Sequence, residues 1–285
     1  MKFSVFTAST PDWSPAQVVQ ELAAQGWDGV EWRVTDQEDA TPPGFWAGNR
    51  ATWPLTGLEE SLPAIADLTR GAGLEISALG GYVQCRDHEN VERLLAATAA
   101  LGAGRVRVRL PALGEDTYPA LFAATRRDLE WAGGRAAVHG VTVLLELHHR
   151  SIMASASAAI RLVDGLDPAR VGVIHDVGNL VIEGHEDHLA GLEMLGPYLA
   201  HVHVKNAAWQ PAGVAPDGST TWSHSWVPMR AGVADLAAYF RALAAVGYDG
   251  WVTSEDFSTA VPLAERTRGN LAYLRELRDR AASSR

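Results

Sequence analysis

Cysteine is nearly missing: Cys85 stands alone among 285 residues. An internal disulfide is therefore excluded, and the usage fits a reducing compartment. Nothing beside Cys85 resembles an activating motif, so it reads as a structural thiol rather than a nucleophile. Long apolar runs are absent as well, and no segment reads as a bilayer span. In the opening MKFSVFTASTPDW, Pro11 and Asp12 arrive too early for a secretory leader. A cytoplasmic protein with no membrane partner is expected. Basic clusters are also lacking. With a formal charge of −10 and scattered Lys and Arg, no surface is set aside for nucleic-acid phosphates, though a local basic pocket could still take one phosphate.

What the sequence does hold is alternation. At 47% hydrophobic residues, the chain can bury a substantial core. Eight short runs read as strands: FSVFTA (3–8), GVEWRV (29–34), LEISALG (74–80), RVRVRLP (105–111), VTVLLELH (141–148), VGVIHDV (171–177), AHVHVKN (200–206) and GWVTSEDF (250–257). Between them lie Ala- and Leu-rich stretches with apolar residues at helical spacing, such as 16–26, 61–73, 91–104, 118–140 and 233–247. Eight strand–helix repeats predict a single parallel (β/α)8 TIM barrel over residues 1–285. A doubly wound open sheet is the alternative. It wants a glycine-rich phosphate loop after the first strand, and FTASTPDWSP is not one.

Two connections exceed the usual length, 35–57 after strand two and 207–232 after strand seven. Both carry proline, glycine and tryptophan, and large rings are poor material for flexible linkers. Long loops leaving the C-terminal ends of strands two and seven are expected to rim or cover the barrel mouth. Trp13, Trp46, Trp53, Trp209, Trp222 and Trp226 all fall in mouth-side loops. Packing on a sugar face, lid packing or a subunit interface would each account for them, so homo-oligomerisation stays open.

In such barrels, chemistry is built at the C-terminal ends of strands. Those ends carry Glu146, Asp176, His203 and Glu255 on strands five to eight. Each has an ordinary reading alone: a paired core glutamate, a helix N-cap, a hydrogen-bonded histidine, a loop carboxylate. Equivalent positions on successive strands bring all four to one rim. Three carboxylates and an imidazole, with no thiolate, suit one divalent ion of intermediate hardness: Mn2+ first, with Mg2+, Co2+ and Zn2+ open.

LLELHHR, HDVGN, HVHVKN and VTSEDF, in that order, resemble the sugar phosphate isomerase/epimerase superfamily, the xylose isomerase-like barrels. GVEWRV and VPMRAGVADLAAYFRAL fit the same pattern, so the resemblance spans most of the chain. It implies that Glu146, Asp176, His203 and Glu255 are metal ligands, and that the two glutamates exchange protons with substrate. Asn179 stands where ketose epimerases often place a substrate-binding histidine. Asn206 stands where many members have aspartate, on a face pointing away from the site.

The expected activity is that of a metal-dependent isomerase or epimerase of a ketose or keto-sugar. Glu146 and Glu255 form the catalytic pair, acting through an enediolate. A dehydratase or lyase acting on a keto-cyclitol or 3-keto-glycoside shares the first half of that chemistry. His148, on the Glu146 face, reads as an auxiliary base or substrate contact. Lys205, on the His203 face, reads as an oxyanion or substrate contact. Arg109 reads as a hydroxyl or phosphate clamp. Asn179 and Trp13 are further candidate substrate contacts, and Glu31 a partner of the site. His175 should face the helical layer, and His185 and His188 should mark a solvated helix start. An endonuclease would need further zinc-binding histidines and a basic face, neither of which is evident. A non-catalytic sugar-binding barrel remains a distinct class.

Overall fold

Residues 171–176 show how the chain folds. Every position of VGVIHD is buried, with Val173 and His175 on one side and Ile174 and Asp176 on the other. A strand buried on both faces belongs in a parallel sheet covered by helices. A computed structural model, describing residues 1–114 and 116–283, places it there.

The barrel strands are β1 (Lys2–Phe6), β2 (Gly29–Val34), β3 (Glu75–Gln84), β4 (Arg105–Arg109), β5 (Thr142–Glu146), β6 (Val171–Asp176), β7 (Leu199–Val204) and β10 (Trp251–Ser254). They close as β1-β10-β7-β6-β5-β4-β3-β2, each pairing parallel to its neighbours. Around them run α1 (Pro15–Gln25), α2 (Leu58–Gly71), α3 (His88–Leu101), α4 (Tyr118–His139), α5 (Ala156–Val163), α6 (Val177–Ile182), α7 (His188–Leu195), α8 (Leu236–Ala245) and α9 (Leu263–Ser283). The eight expected strands are the eight staves. No helix among the described residues is long and apolar enough to cross a membrane.

The main apolar core lies between barrel and helices, where Val143, Leu145, Val173, Val202, Val204 and Val252 point outward. His175 faces this layer as expected, 2.9 Å from the Tyr239 hydroxyl. His188 opens α7, but its ring packs edge-on against Tyr239 instead of standing in solvent. Cys85 is buried and its thiol is pushed up to about 12, chiefly by desolvation, which suits an inert core thiol.

Inside the barrel the side chains stack in layers. Ala78, Leu144 and Ile174 form an apolar cluster. Next comes a polar layer in which Thr253 hydrogen-bonds Ser4 at 2.7 Å and His201 at 2.8 Å, while Glu31 meets His201 at 3.1 Å. Above it, Phe6 lies against His203, with ring centroids 5.9 Å apart. Gly80 makes room for Phe6, because a Cβ there would come within 2.2 Å of the ring.

The long segment expected after strand seven has secondary structure of its own. It rises as an antiparallel hairpin of β8 (Asn206–Val214) and β9 (Thr220–Val227). The signal was local: Asp217 and Gly218 form the turn, and Trp222, His224 and Trp226 alternate along β9. The segment after β2 stays irregular but is fastened. Asn49 donates to the Ala8 and Phe45 carbonyls, and Trp53 bridges to Val34 and packs on the core.

Asn206 ties the hairpin base to the barrel. Its Nδ2 donates to the Met229 and Ala234 carbonyls at 2.9 and 3.0 Å, and its Oδ1 accepts from the Ala207 and Ala234 amides at 3.0 Å. Gly232 lets this side chain lie flat, since a Cβ there would sit 2.0 Å from Oδ1. An aspartate would set an anionic oxygen against two buried carbonyls. Asn206→Asp is therefore expected to lower stability by about 2 kcal/mol, read as a lower urea midpoint. An unchanged midpoint would show that the clamp contributes nothing.

Candidate active site

The strand period places His201, His203 and Lys205 on the inner face of one stave and its continuation. Parallel register then aligns His203 with Asp176 on one side and Thr253, two residues before Glu255, on the other. Glu146 ends β5 beside β6. As a result, Glu146, Asp176, His203 and Glu255 each present a ligand atom within 4.8 Å of the others, all buried.

Each is held by a named partner. Arg107 Nη1 donates to Glu146 Oε2 at 2.7 Å. Asp176 opens α6 as its N-cap: Oδ1 accepts from the Gly178 and Asn179 amides at 3.0 Å, leaving Oδ2 toward the cluster. The N-cap and ligand readings of Asp176 thus describe different oxygens. His203 Nε2 lies 3.0 Å from Glu31 Oε2, which directs Nδ1 toward Glu146 Oε1 at 3.6 Å and Glu255 Oε2 at 3.8 Å. That Nδ1 is buried with no hydrogen-bond partner among the described residues. An orphaned imidazole nitrogen among carboxylates fits a divalent ion, and the Glu31 contact is the carboxylate–histidine pairing that such ligands use.

The electrostatics point the same way. Burial pushes the Asp176 carboxyl up to about 8, with Glu255 and Glu146 adding repulsion against the pull of Lys205. Burial would also raise Glu146, but Arg107 outweighs it and holds that carboxyl well below its usual range. Desolvation pulls His203 down, and Glu31, Glu146 and Glu255 together overcome it, raising the imidazole well above its ordinary value. Lys205 Nζ contacts both Asp176 Oδ2 and Glu255 Oε2, with Glu146 Oε1 at 3.8 Å. A cation between these carboxylates relieves the crowding.

A cavity of about 710 Å³ opens above the cluster, flanked by the aromatic side chains Trp46, Tyr82, Trp226 and Phe257. Flat rings of this kind suit the C–H face of a sugar. Of the sequence candidates, Glu146, Glu255, His148, Lys205, Arg109 and Asn179 line this space. His148 is half-buried, with Nδ1 2.8 Å from the His149 carbonyl. Asn179 Nδ2 is occupied by Glu146 Oε1, Asp176 Oδ2 and the Leu147 carbonyl at 2.9–3.1 Å, so it orients those two carboxylates. Glu31 lies beneath the cluster, and Trp13 packs into the barrel–helix core away from the cavity.

Sequence reading passed over Arg33, Arg107, Tyr82, His149 and His224, all on the lining. Two were within reach of the strand period: Arg33 shares the inner face with Glu31, and Arg107 with Arg109. His149 sits 3.3 Å from Asn179 Oδ1, and burial with the neighbouring His148 draws its imidazole down to about 4. His224 reaches the cavity through the hairpin, and no barrel pattern marks it.

Known proteins share this fold. Inosose dehydratase of Geobacillus thermodenitrificans is 29% identical over 128 residues, 43% of this chain and 43% of the relative. The chain thus aligns with less than half the length of that relative. The E. coli 3-keto-D-glucoside 4-epimerase shares the fold at a TM-score of 0.72 and 20% identity, over 97% of this chain and 99% of the other. A xylose isomerase-like barrel from Mycobacterium smegmatis in complex with magnesium superposes at 0.72 and 16% identity, over 98% and 97%. The family profile for the xylose isomerase-like TIM barrel matches residues 19–277, and the chain belongs to that family.

Proposed function

We propose that this chain is a divalent-metal-dependent isomerase or epimerase that moves a proton beside the carbonyl of a ketose or keto-sugar. The observation that carries the reading is the buried set of Glu146, Asp176, His203 and Glu255, with the orphaned His203 Nδ1 among its donors. When bound there, a divalent ion, manganese by preference, supplies a Lewis acid for the carbonyl and neighbouring hydroxyl oxygens.

The chain's own residues do the rest. Glu146 and Glu255 reach the cluster from β5 and the end of β10, on opposite sides of β6 and β7. Glu146, kept ionised by Arg107, removes the proton from carbon to leave an enediolate, and Glu255, entering as the carboxylic acid, returns its proton at the opposite face. Arg107 holds the Oε2 edge of Glu146 and Asn179 fixes its Oε1 edge. Lys205 donates to oxyanion character that develops next to the ligands. Trp46, Trp226 and Phe257 cover the cluster and limit water, with ring centroids 4.8 Å apart for Trp46–Phe257 and 6.0 Å for Trp226–Phe257.

Elimination is the second reading, and one observation favours it. The Lys205 ammonium lies among the carboxylates, where it could protonate a departing β-hydroxyl, and the aligned relative is a dehydratase. Incubation with ketoses and keto-cyclitols in D2O separates the outcomes. Interconverted ketoses carrying one carbon-bound deuterium support the epimerase, and a new conjugated-enone absorbance supports the lyase. Glu146→Gln and Glu255→Gln are each expected to lower turnover about 10²- to 10⁴-fold. Exchange that persists after chelation would refute the metal-dependent reading.

Removing a ligand's support should weaken the ion without unfolding the barrel. Glu31→Gln is expected to lower divalent-ion affinity about 10- to 100-fold, measured by competition with a chromogenic chelator. Unaltered affinity would mean that Glu31 does not orient His203.

A further inference from the structure

We propose that the substrate carries an oxyanion, a carboxylate or a phosphate ester, docked by Arg33 and Arg109 beside Tyr82. The inference rests on the proposed sugar chemistry for the identity of the molecule, but not for the existence of the anion site. It starts from an imbalance. The protein carries a net charge of −10, yet its cavity is lined by the cations Arg33, Arg107, Arg109, Arg150 and Lys205. Among the described residues, the lining carboxylates are Glu146 and Glu255 alone, and Arg107 and Lys205 already engage them. A divalent ion would enlarge the positive excess.

The unclaimed charge is concentrated on one side. Arg33 comes from β2, Tyr82 from β3, and Arg107 and Arg109 from β4, whereas the four ligands come from β5, β6, β7 and the end of β10. The Tyr82 ring is a hub for these cations: the Arg33, Arg107 and Arg109 guanidinium carbons lie 4.8, 4.7 and 5.7 Å from its centroid. Three guanidiniums around one neutral ring repel one another unless anions intervene, and among the described residues only Arg107 has one.

Arg33 is the sharper observation. It is 3% exposed, and the hydrogen bonds of its guanidinium go to neutral groups: the Gln37 side chain, the Thr52 hydroxyl and the Trp46 carbonyl. Its Nε is buried with no hydrogen-bond partner among the described residues. Burial and the nearby Arg107 charge pull its affinity for the proton below the ordinary arginine value. A buried cation without a counter-charge is costly, and a ligand anion removes the cost. Arg109 stands exposed at the rim, with no ion pair among the described residues, free to close a two-arginine grip. Guanidinium forks favour carboxylates and phosphates because both present paired oxygens.

The test is calorimetric titration of the whole protein with inorganic phosphate and with malonate at fixed ionic strength, with and without a divalent ion. At least one probe is expected to bind saturably with a Kd of about 1 mM or tighter. The tighter probe identifies phosphate ester or carboxylate as the substrate's group. Arg109→Gln, an exposed change that leaves the core untouched, should weaken binding about tenfold. Arg33→Lys keeps the charge, loses the fork and should weaken it further. Absence of saturable binding, or binding unaltered in both variants, overturns the proposal. Because no turnover is read and the titration is repeated without metal, failure here leaves the proton-transfer reading standing, and failure of that reading leaves this result intact.

Discussion

Three carboxylates meet at the buried floor of the cavity, and that crowding governs the rest of the barrel mouth. Like charges a few ångströms apart in a poorly solvated interior cannot all remain ionised without compensation. Every neighbour of the cluster acts on this problem. Arg107 engages Glu146, Lys205 bridges Asp176 and Glu255, and the α6 amides take one oxygen of Asp176. The protein's lysines are Lys2 and Lys205, so its one interior ammonium stands where the carboxylates converge. The barrel supplies rigidity, since each of these groups sits on a stave or at its end rather than on a free loop.

Beneath the cluster, the polar layer does a different task. Glu31 receives both His201 and His203, and its carboxyl is held well below the usual range: burial opposes ionisation, but the two histidines outweigh it. Glu31 thereby fixes which imidazole nitrogen of His203 faces upward. Two histidines and a lysine on one strand face, unusual for a buried segment, have separate duties: His201 braces Glu31, His203 offers Nδ1 to the cluster, and Lys205 balances charge.

Periodicity made the barrel legible. Eight two-residue alternations, each followed by helical spacing, leave little freedom in topology, and strand ends are fixed points of that pattern. The same rule brings Glu146, Asp176, His203 and Glu255 together without any tertiary information. It carries less where the fold departs from repetition. The hairpin from 206 to 227 is antiparallel and belongs to no stave, so counting strands sets Trp226 at the mouth but does not single out His224 on the same strand. Trp13 failed for the opposite reason: it lies near a strand end, but its ring turns toward the helices. Asn179 was legible in position and not in role, because a side-chain amide nitrogen set among three acceptors is recognised only once those acceptors are located.

The mouth that results is polar in the electrical sense. Its β5–β7 and β10 side gathers carboxylates around a place for a cation, and its β2–β4 side presents guanidiniums around Tyr82. Arg107 belongs to both, joining Glu146 to the arginine group across the β4–β5 seam. A neutral sugar would feel this field only through its dipoles and could enter in several orientations. A molecule with an electron-rich carbonyl arrangement at one end and an oxyanion at the other would be aligned before any close contact formed. On the proposed reading, alignment of that kind would bring the reacting carbon toward Glu146 and Glu255 using interactions remote from it, which places a weak carbon acid between two carboxylates. The aromatic lining fits the same picture, since rings give surface to a sugar without adding charge that would blur the field.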